Sequence, residues 1–261
     1  MSESPLYIGD LRVTYGELVA VNGLTLAVRP GEVYGLIGAN GAGKSSAIKS
    51  VMGLVKYSGG KVTIFGHDPA TDGVTTRSLI GYVPEVSLLY DALTPREYLE
   101  YVASIRRLDS EAVTARLNDF SSALQIEREM DQAIATLSNG TRQKVMLVGA
   151  LLHQPPLLLL DEPFNSLDPR SVRIMKDLLA TYVKRGERSI LFSTHTMEVA
   201  EMLCNRVGIL DHGHLKGEGT MEELRRQVGR EKATLEDIFL ELTADRDEIS
   251  RIADRLGNPT R

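Results

Sequence analysis

The sequence predicts an α/β fold with three parts: a leading antiparallel β-subdomain, a parallel-sheet core, and an α-helical subdomain inserted into that core. Three observations carry this expectation. Runs such as Val33–Ile37 and Leu157–Leu160 are apolar without alternation, as in strands covered on both faces of a parallel sheet. The first segments, Leu6–Tyr15 and Leu24–Val28, instead alternate apolar and polar residues, as in an antiparallel sheet with one wet face. From Leu88 to Ala150 the strand pattern gives way to helical spacing.

Taken in order, Val33–Ile37 reads as a buried strand, and a glycine loop after it feeds a helix from Ser45 to Met52. Val62–Phe65 is a short strand followed by a polar loop to about Thr76, and Ile80–Glu85 is a strand that stops at Pro84. Thr94-Pro-Arg-Glu97 is a capping box with proline at the first helical position, and Tyr98, Leu99, Tyr101 and Val102 form the apolar face of the helix it opens. Leu157–Leu160 and Ser189–Ser193 read as buried strands, separated by a helix from Pro169 to about Arg185 that Gly186 stops. Val207–Leu210 and the turn at Asp211-His-Gly suggest a terminal hairpin. Leu235, Ile238, Phe239 and Leu242 then fall at helical spacing on one stripe, and Ile249, Ile252 and Leu256 suggest a second helix. This gives one unit over residues 1–230, with its helical subdomain at about 88–150, and a helical tail over 231–261. The tail packs on the chain's own core or offers a docking or dimerisation surface; the pattern allows both.

At 261 residues and 43% hydrophobic, the chain can bury a full core. Its formal net charge of -5 advertises no broad nucleic-acid-binding face. The single cysteine, Cys204, excludes an internal disulfide framework and fits a reducing cytosol. Met1 leads into polar residues rather than a signal peptide, and no apolar run approaches the roughly 18 residues that span a bilayer.

The chemistry begins at Gly38-Ala-Asn-Gly-Ala-Gly-Lys-Ser45, a phosphate-binding P-loop between a strand and a helix. Its glycines let backbone N–H groups turn toward phosphate, and the helix adds its positive end. Lys44 is placed to neutralise β- and γ-phosphate charge, and Ser45 to offer its hydroxyl to Mg²⁺. Downstream, Asp161 and Glu162 follow the four leucines at the end of a buried strand, the edge where open α/β sheets bind ligands. Asp161 is expected to hold Mg²⁺ through water. Leu137-Ser-Asn-Gly140 is a polar turn in which Ser138 can cap a helix whose N-terminus points at phosphate. Ser166-Leu-Asp168 turns into another helix at Pro169, and Ser193-Thr-His195 ends the next strand. His212 and His214 flank a glycine turn with no third ligand nearby, which argues against a metal there; His67 and His153 lack context.

In this order, these elements resemble the ATP-binding cassette (ABC) ATPases over nearly the whole chain, which implies a RecA-like P-loop NTPase core that binds and hydrolyses ATP with Mg²⁺. The resemblance implies that Glu162 polarises the attacking water and that His195 contacts the γ-phosphate. It also implies that Ser46 touches the α-phosphate, that Tyr15 stacks on adenine, and that Asn40, Gly41, Ala42 and Gly43 line the phosphates with Gly38. Leu137–Lys144 matches the family signature, whose Ser138 and Gly140 meet ATP held by a second subunit; Asp168 lies in the loop linking the two sites. One P-loop and one signature per chain imply a homodimer or a pair with a paralogous subunit.

Two departures from the family pattern stand out, one in the signature and one at position 85. Asn139 and Thr141 replace the usual Gly and Gln of the signature, and Glu85 stands where a glutamine commonly contacts Mg²⁺ and the membrane subunit. A carboxylate at 85 can still ligate Mg²⁺ but adds negative charge beside the γ-phosphate. Ile80–Glu85, Thr141–Lys144, Leu152-His-Gln-Pro-Pro156 and Leu235–Thr243 resemble the ABC-2 type ATPases, which drive multi-helix permeases mostly in export. That resemblance implies an integral membrane permease as partner, gripped by the Glu85–Glu97 region, no nucleic acid, and a place on the cytoplasmic face of the membrane. The branched-chain amino-acid importer ATPases and soluble cofactor-assembly ATPases are the alternatives.

Overall fold

The computed structural model describes residues 4–184 and 188–243. It opens with β1 (Leu6–Tyr15) and β2 (Leu18–Val28), paired antiparallel through the tight turn at Gly16. The second strand starts six residues before the expected Leu24, because Leu18 pairs with Tyr15 directly across that turn. Alternate residues Leu6, Ile8, Leu11 and Val13 are buried, as the alternation requires. After β3 (Val33–Ile37) come α1 (Lys44–Val51) and β4 (Gly59–Thr63), the third strand of the first sheet, whose order is β2-β1-β4. The expected strand at Val62–Phe65 is thus shifted toward the N-terminus: β4 ends at Thr63, and Ile64 makes only an isolated bridge to His67. The loop expected through Thr76 contains α2 (Gly73–Ser78), six residues long and too short to show a helical period.

β5 (Ile80–Val83) then leads into α3 (Pro95–Ile105), α4 (Ser110–Leu124) and α5 (Asn139–Leu151). The start of α3 is the expected capping box, in which the Thr94 hydroxyl accepts from the Glu97 N–H while the Glu97 carboxylate accepts from the Thr94 N–H. The sheet resumes with β6 (Leu157–Asp161), α6 (Pro169–Lys184), β7 (Ser189–Thr194), α7 (Met197–Leu203), β8 (Arg206–Asp211) and β9 (His214–Gly219). α8 (Met221–Gln227) and α9 (Leu235–Leu242) close the described chain. The stop expected at Gly186 and the tail helix expected around Ile249, Ile252 and Leu256 lie outside the described residues.

The second sheet has the order β5-β6-β7-β3-β8-β9, parallel except for the β8–β9 hairpin. Every residue of β3, β6 and β7 is buried, which explains the absence of alternation in their sequences. One core lies between the two sheets and α1, with Leu24, Tyr34, Leu36 and Ile48 at its centre. The other lies on the far face of the second sheet and takes in the inserted helices, α6 and α7. The stripe of α9 belongs to this second core: Leu235 and Ile238 are fully buried, and the Leu235 N–H donates to Glu201 of α7 at 3.0 Å. Of the two roles left open for the tail, α9 takes the first.

β3, β6 and β7 are neighbours in register, Ile37 beside Thr194 and Asp161 beside Ser193. The loops that leave their C-terminal ends therefore converge on one place.

Candidate functional site

That place is built on the loop from Gly38 to Lys44. Gly43 has φ 107 and faces the Ala20 carbonyl where a side chain would stand, so both backbone conformation and space require glycine there. The Gly213 N–H donates to the Ala42 carbonyl at 2.9 Å, tying the β8–β9 turn to the loop. α1 begins at Lys44 with no side-chain cap, leaving its first N–H groups for a ligand.

Lys44 is 5% exposed, and its ammonium donates to the Gly38 carbonyl (2.7 Å) and the Ala39 carbonyl (3.1 Å). It also sits 3.3 Å from Glu162 Oε1, and Glu162 is itself 4% exposed. The other carboxylate oxygen, Oε2, meets His195 Nδ1 at 3.0 Å and accepts from the His195 N–H at 3.4 Å. Glu162 thus stands between the P-loop lysine and the histidine at the end of β7. Its backbone is in the left-handed region (φ 49), a costly conformation for a side-chain-bearing residue and one that turns the chain sharply after β6.

Asp161 is equally buried. Its Oδ1 accepts from the hydroxyls of Ser193 (2.6 Å) and Ser45 (3.0 Å), while Oδ2 is buried with no hydrogen-bond partner among the described residues. A buried carboxylate with a free oxygen, bonded to a P-loop serine, fits a hard divalent cation that takes oxygen ligands. The Ser193 hydroxyl also accepts from the Glu162 N–H at 3.1 Å, locking the two strand ends together. Burial, followed by the carboxylates of Asp161 and Glu85, pushes the nearby Tyr82 hydroxyl up to about 12, so it stays protonated.

A cavity of about 410 Å³ lies over the loop. Its floor is the loop from Asn40 to Ser46, and Tyr15, Leu18–Ala20, Glu85 and Glu162 line it as well. Tyr15 is 46% exposed, and its hydroxyl lies 3.4 Å from Ser46 Oγ, with an open ring face for a planar ligand. The structure therefore gathers Tyr15, Asn40, Gly41, Ala42, Gly43, Lys44, Ser45, Ser46, Glu85 and Glu162 around one space. Gly38, Asp161 and His195 join it through their hydrogen bonds.

Ser138, Gly140 and Asp168 are not brought to this cavity. Ser138 caps α5, its hydroxyl accepting from the Thr141 N–H at 3.1 Å and lying 3.0 Å from the Thr141 hydroxyl, the contact made by the unusual threonine. A side chain at Gly140 would crowd the Ser166 carbonyl. Asp168 opens α6, accepting from the N–H groups of Arg170 and Ser171 and from the Ser171 hydroxyl. These bonds, the Ser171 hydroxyl first, hold its carboxyl below the ordinary aspartate range. A second cavity, of about 350 Å³, runs from Glu85 to Asn139 and Ser166. Glu85 lines both spaces. Leu18, Val19, Ala20 and His212 line the first cavity without having been expected there; no local sequence pattern marks them, because the pairing of β2 with β1 and the β8–β9 turn bring them in.

The ABC transporter family model matches residues 21–165. The chain is 36% identical over 242 residues to the ABC-type transporter ATP-binding protein EcsA of Bacillus subtilis (strain 168), covering 93% of this chain and 98% of that one. It is 32% identical over 254 residues to the Nod factor export ATP-binding protein I of Burkholderia orbicola (strain AU 1054), covering 97% of this chain and 83% of that one. Among solved structures, an ATP-binding subunit of an ABC transporter superposes with a TM-score of 0.87 at 36% identity, covering 92% of this chain and all of the other. CbiO1 from Clostridium perfringens, part of the ABC transporter complex cbiONQ, shares the fold with a TM-score of 0.75 at 22% identity.

Proposed function

The chain belongs to the ABC transporter family as an ATP-binding, ATP-hydrolysing subunit, and from that premise we propose that it powers export through a separate membrane permease from the cytoplasmic face of the membrane. The observation that carries the catalytic part is the chain of contacts Lys44–Glu162–His195, with Ser45 and Asp161 beside it, on three adjacent strand ends. Similarity to an export ATP-binding protein supports the direction. No helix of the described residues is long and apolar enough to cross a membrane.

ATP would lie with its base on Tyr15 and its phosphates over the N–H groups from Gly41 to Ser45. Ser45, Asp161 and Glu85 would hold Mg²⁺, which supplies charge neutralisation on the phosphates. In the chain as it stands, Lys44 is paired with Glu162. Phosphate oxygens compete for the same ammonium, and as Lys44 turns to them Glu162 Oε1 is freed to accept a proton from water. His195, held on Oε2, keeps the carboxylate aimed and reaches the γ-phosphate. Ser138 and Gly140, remote from this cavity, would act on the ATP of a second subunit, and Asp168 would tie the two sites. Closure of that pair on ATP and its release after hydrolysis would be the motion that the permease reads.

The Glu85–Glu97 segment would receive the permease. Val86, Leu88 and Tyr90 are exposed there, more apolar surface than a free loop needs. The decisive experiment is to purify the chain from detergent-solubilised membranes of its native host and identify what accompanies it. Recovery with a polytopic membrane protein is expected. Recovery with soluble proteins only, at full ATPase activity, would put a soluble cofactor-assembly role in place of transport.

A further inference from the structure

His212 stands at the mouth of the nucleotide cavity, at the tip of the β8–β9 hairpin, and none of the motifs of the site includes it. The hairpin is not a free loop. Besides the bond from Gly213 to Ala42, the Asn22 N–H donates to the Gly213 carbonyl at 2.9 Å, so the turn is stapled both to the P-loop and to β2. Gly213 (φ 78) lies so close to the Ala20 carbonyl and Val21 that a side chain would crowd them. His212 itself adopts φ 44, which fixes its side chain at the opening rather than in the sheet. The imidazole is 89% exposed, and one nitrogen is already engaged: Nδ1 lies 2.7 Å from Asp211 Oδ1, and Lys216 is 3.8 Å from Asp211 Oδ2. As the imidazolium, the ring gives Nδ1–H to the carboxylate and leaves Nε2–H to donate to a ligand.

The charge around the cavity gives that nitrogen a use. A nucleoside triphosphate brings several negative charges to a space whose lining already holds two carboxylates, Glu85 and Glu162. Lys44 answers them from the floor, and His212 is the other lining side chain that can carry positive charge. Because the turn is anchored to Ala42, in the middle of the phosphate loop, its reach is to the phosphate chain.

We propose that His212 is a further nucleotide-binding residue, donating from Nε2 to the phosphate chain of ATP at the open side of the cavity, with Asp211 positioning the ring. The proposal rests on ATP occupying this cavity, as set out above.

The test is equilibrium binding of Mg-ATP and of AMP to the full chain, wild type against His212→Asn and His212→Lys. Asparagine tolerates the left-handed backbone and removes the imidazole without straining the turn; lysine returns a cation. The expected result is an ATP dissociation constant roughly two- to fivefold weaker in His212→Asn, the range of an exposed charge-assisted contact. Affinity should return in His212→Lys and AMP binding should be nearly unchanged throughout. ATP affinity unchanged in His212→Asn, or an equal loss for ATP and AMP, would overturn the proposal. A wild-type chain that binds no ATP would instead sink the reading of the cavity itself, so the two failures are distinct.

Discussion

Lys44 and Glu162 are charges that neither could carry alone in so dry a place; each is tolerable because the other is there. Their variants should separate binding from chemistry. Glu162→Gln keeps the shape and a hydrogen-bonding group but cannot take a proton from water. Phosphate release should fall roughly 100- to 10,000-fold while ATP affinity changes little. Turnover left intact in Glu162→Gln would remove this residue as the base. Lys44→Ala should fail one step earlier, in nucleotide binding, because the phosphates lose their buried cation. A different buried group governs acid stability. His153 Nε2 donates to the Ile80 carbonyl at 3.1 Å, while its Nδ1 is buried without a hydrogen-bond partner among the described residues. Burial, and after it the Arg106 charge, pull this imidazole down to about 4 from an ordinary value of 6.5. Between those values the unfolded chain binds the proton and the folded chain refuses it. The contribution is therefore complete above about pH 6.5 and is lost as pH falls toward 4. Urea midpoints of the wild type should drop from pH 7 to pH 5, and His153→Gln, which keeps a donor for Ile80, should flatten part of that drop. An equally steep fall in the variant would assign the effect to other groups.

At the scale of elements, α9 offers a clear measurement. Ile238 is fully buried in the core that also holds α7, so Ile238→Ala should cost about 2–5 kcal/mol in denaturant unfolding. A cost below ~1 kcal/mol would mean that α9 rests on the surface rather than in the core. In the segment after β5, Leu88 is 70% exposed and should tolerate replacement by cysteine with little change in stability. A Leu88→Cys chain assembled in membranes should crosslink to a polytopic partner; no crosslink from this position would move the docking surface elsewhere. The sequence was informative here in proportion to length and to burial. The fully buried strands β3, β6 and β7 announced themselves as unbroken apolar runs, and α3 by its capping box. α2, α7 and α8 are six or seven residues each, less than two helical turns, so their apolar residues form no period to read. The beginning of β2 was hidden because Leu18 and Val19 face outward, exposed, and so break the alternation that marks the rest of the strand.

Over the whole molecule, the proposed pairing of two chains makes its own prediction. If Ser138 completes the site of a second subunit, Glu162→Gln with ATP should sediment as a dimer and return to monomer when ATP is withdrawn, and Ser138→Arg should abolish that dimer. A Glu162→Gln chain that stays monomeric with ATP bound would count against shared sites. Residues that act within one short motif, such as Lys44 and Ser45, were legible from sequence because local spacing alone defines them. His212 and Leu18–Ala20 were not, because what places them is the meeting of two sheets around one loop. That meeting has a consequence for how the protein comes to exist. The strand carrying the phosphate loop, β3 at residues 33–37, pairs with β7 at 189–194 on one side and β8 at 206–211 on the other. As the chain leaves the ribosome, its first core strand must wait for most of the polypeptide before either edge finds a neighbour. A nascent chain stopped after α5 presents an apolar strand with two open edges, a form suited to aggregation or to capture by a chaperone. Competence to bind ATP should accordingly appear late and abruptly during synthesis, only after β7 and β8 have been made.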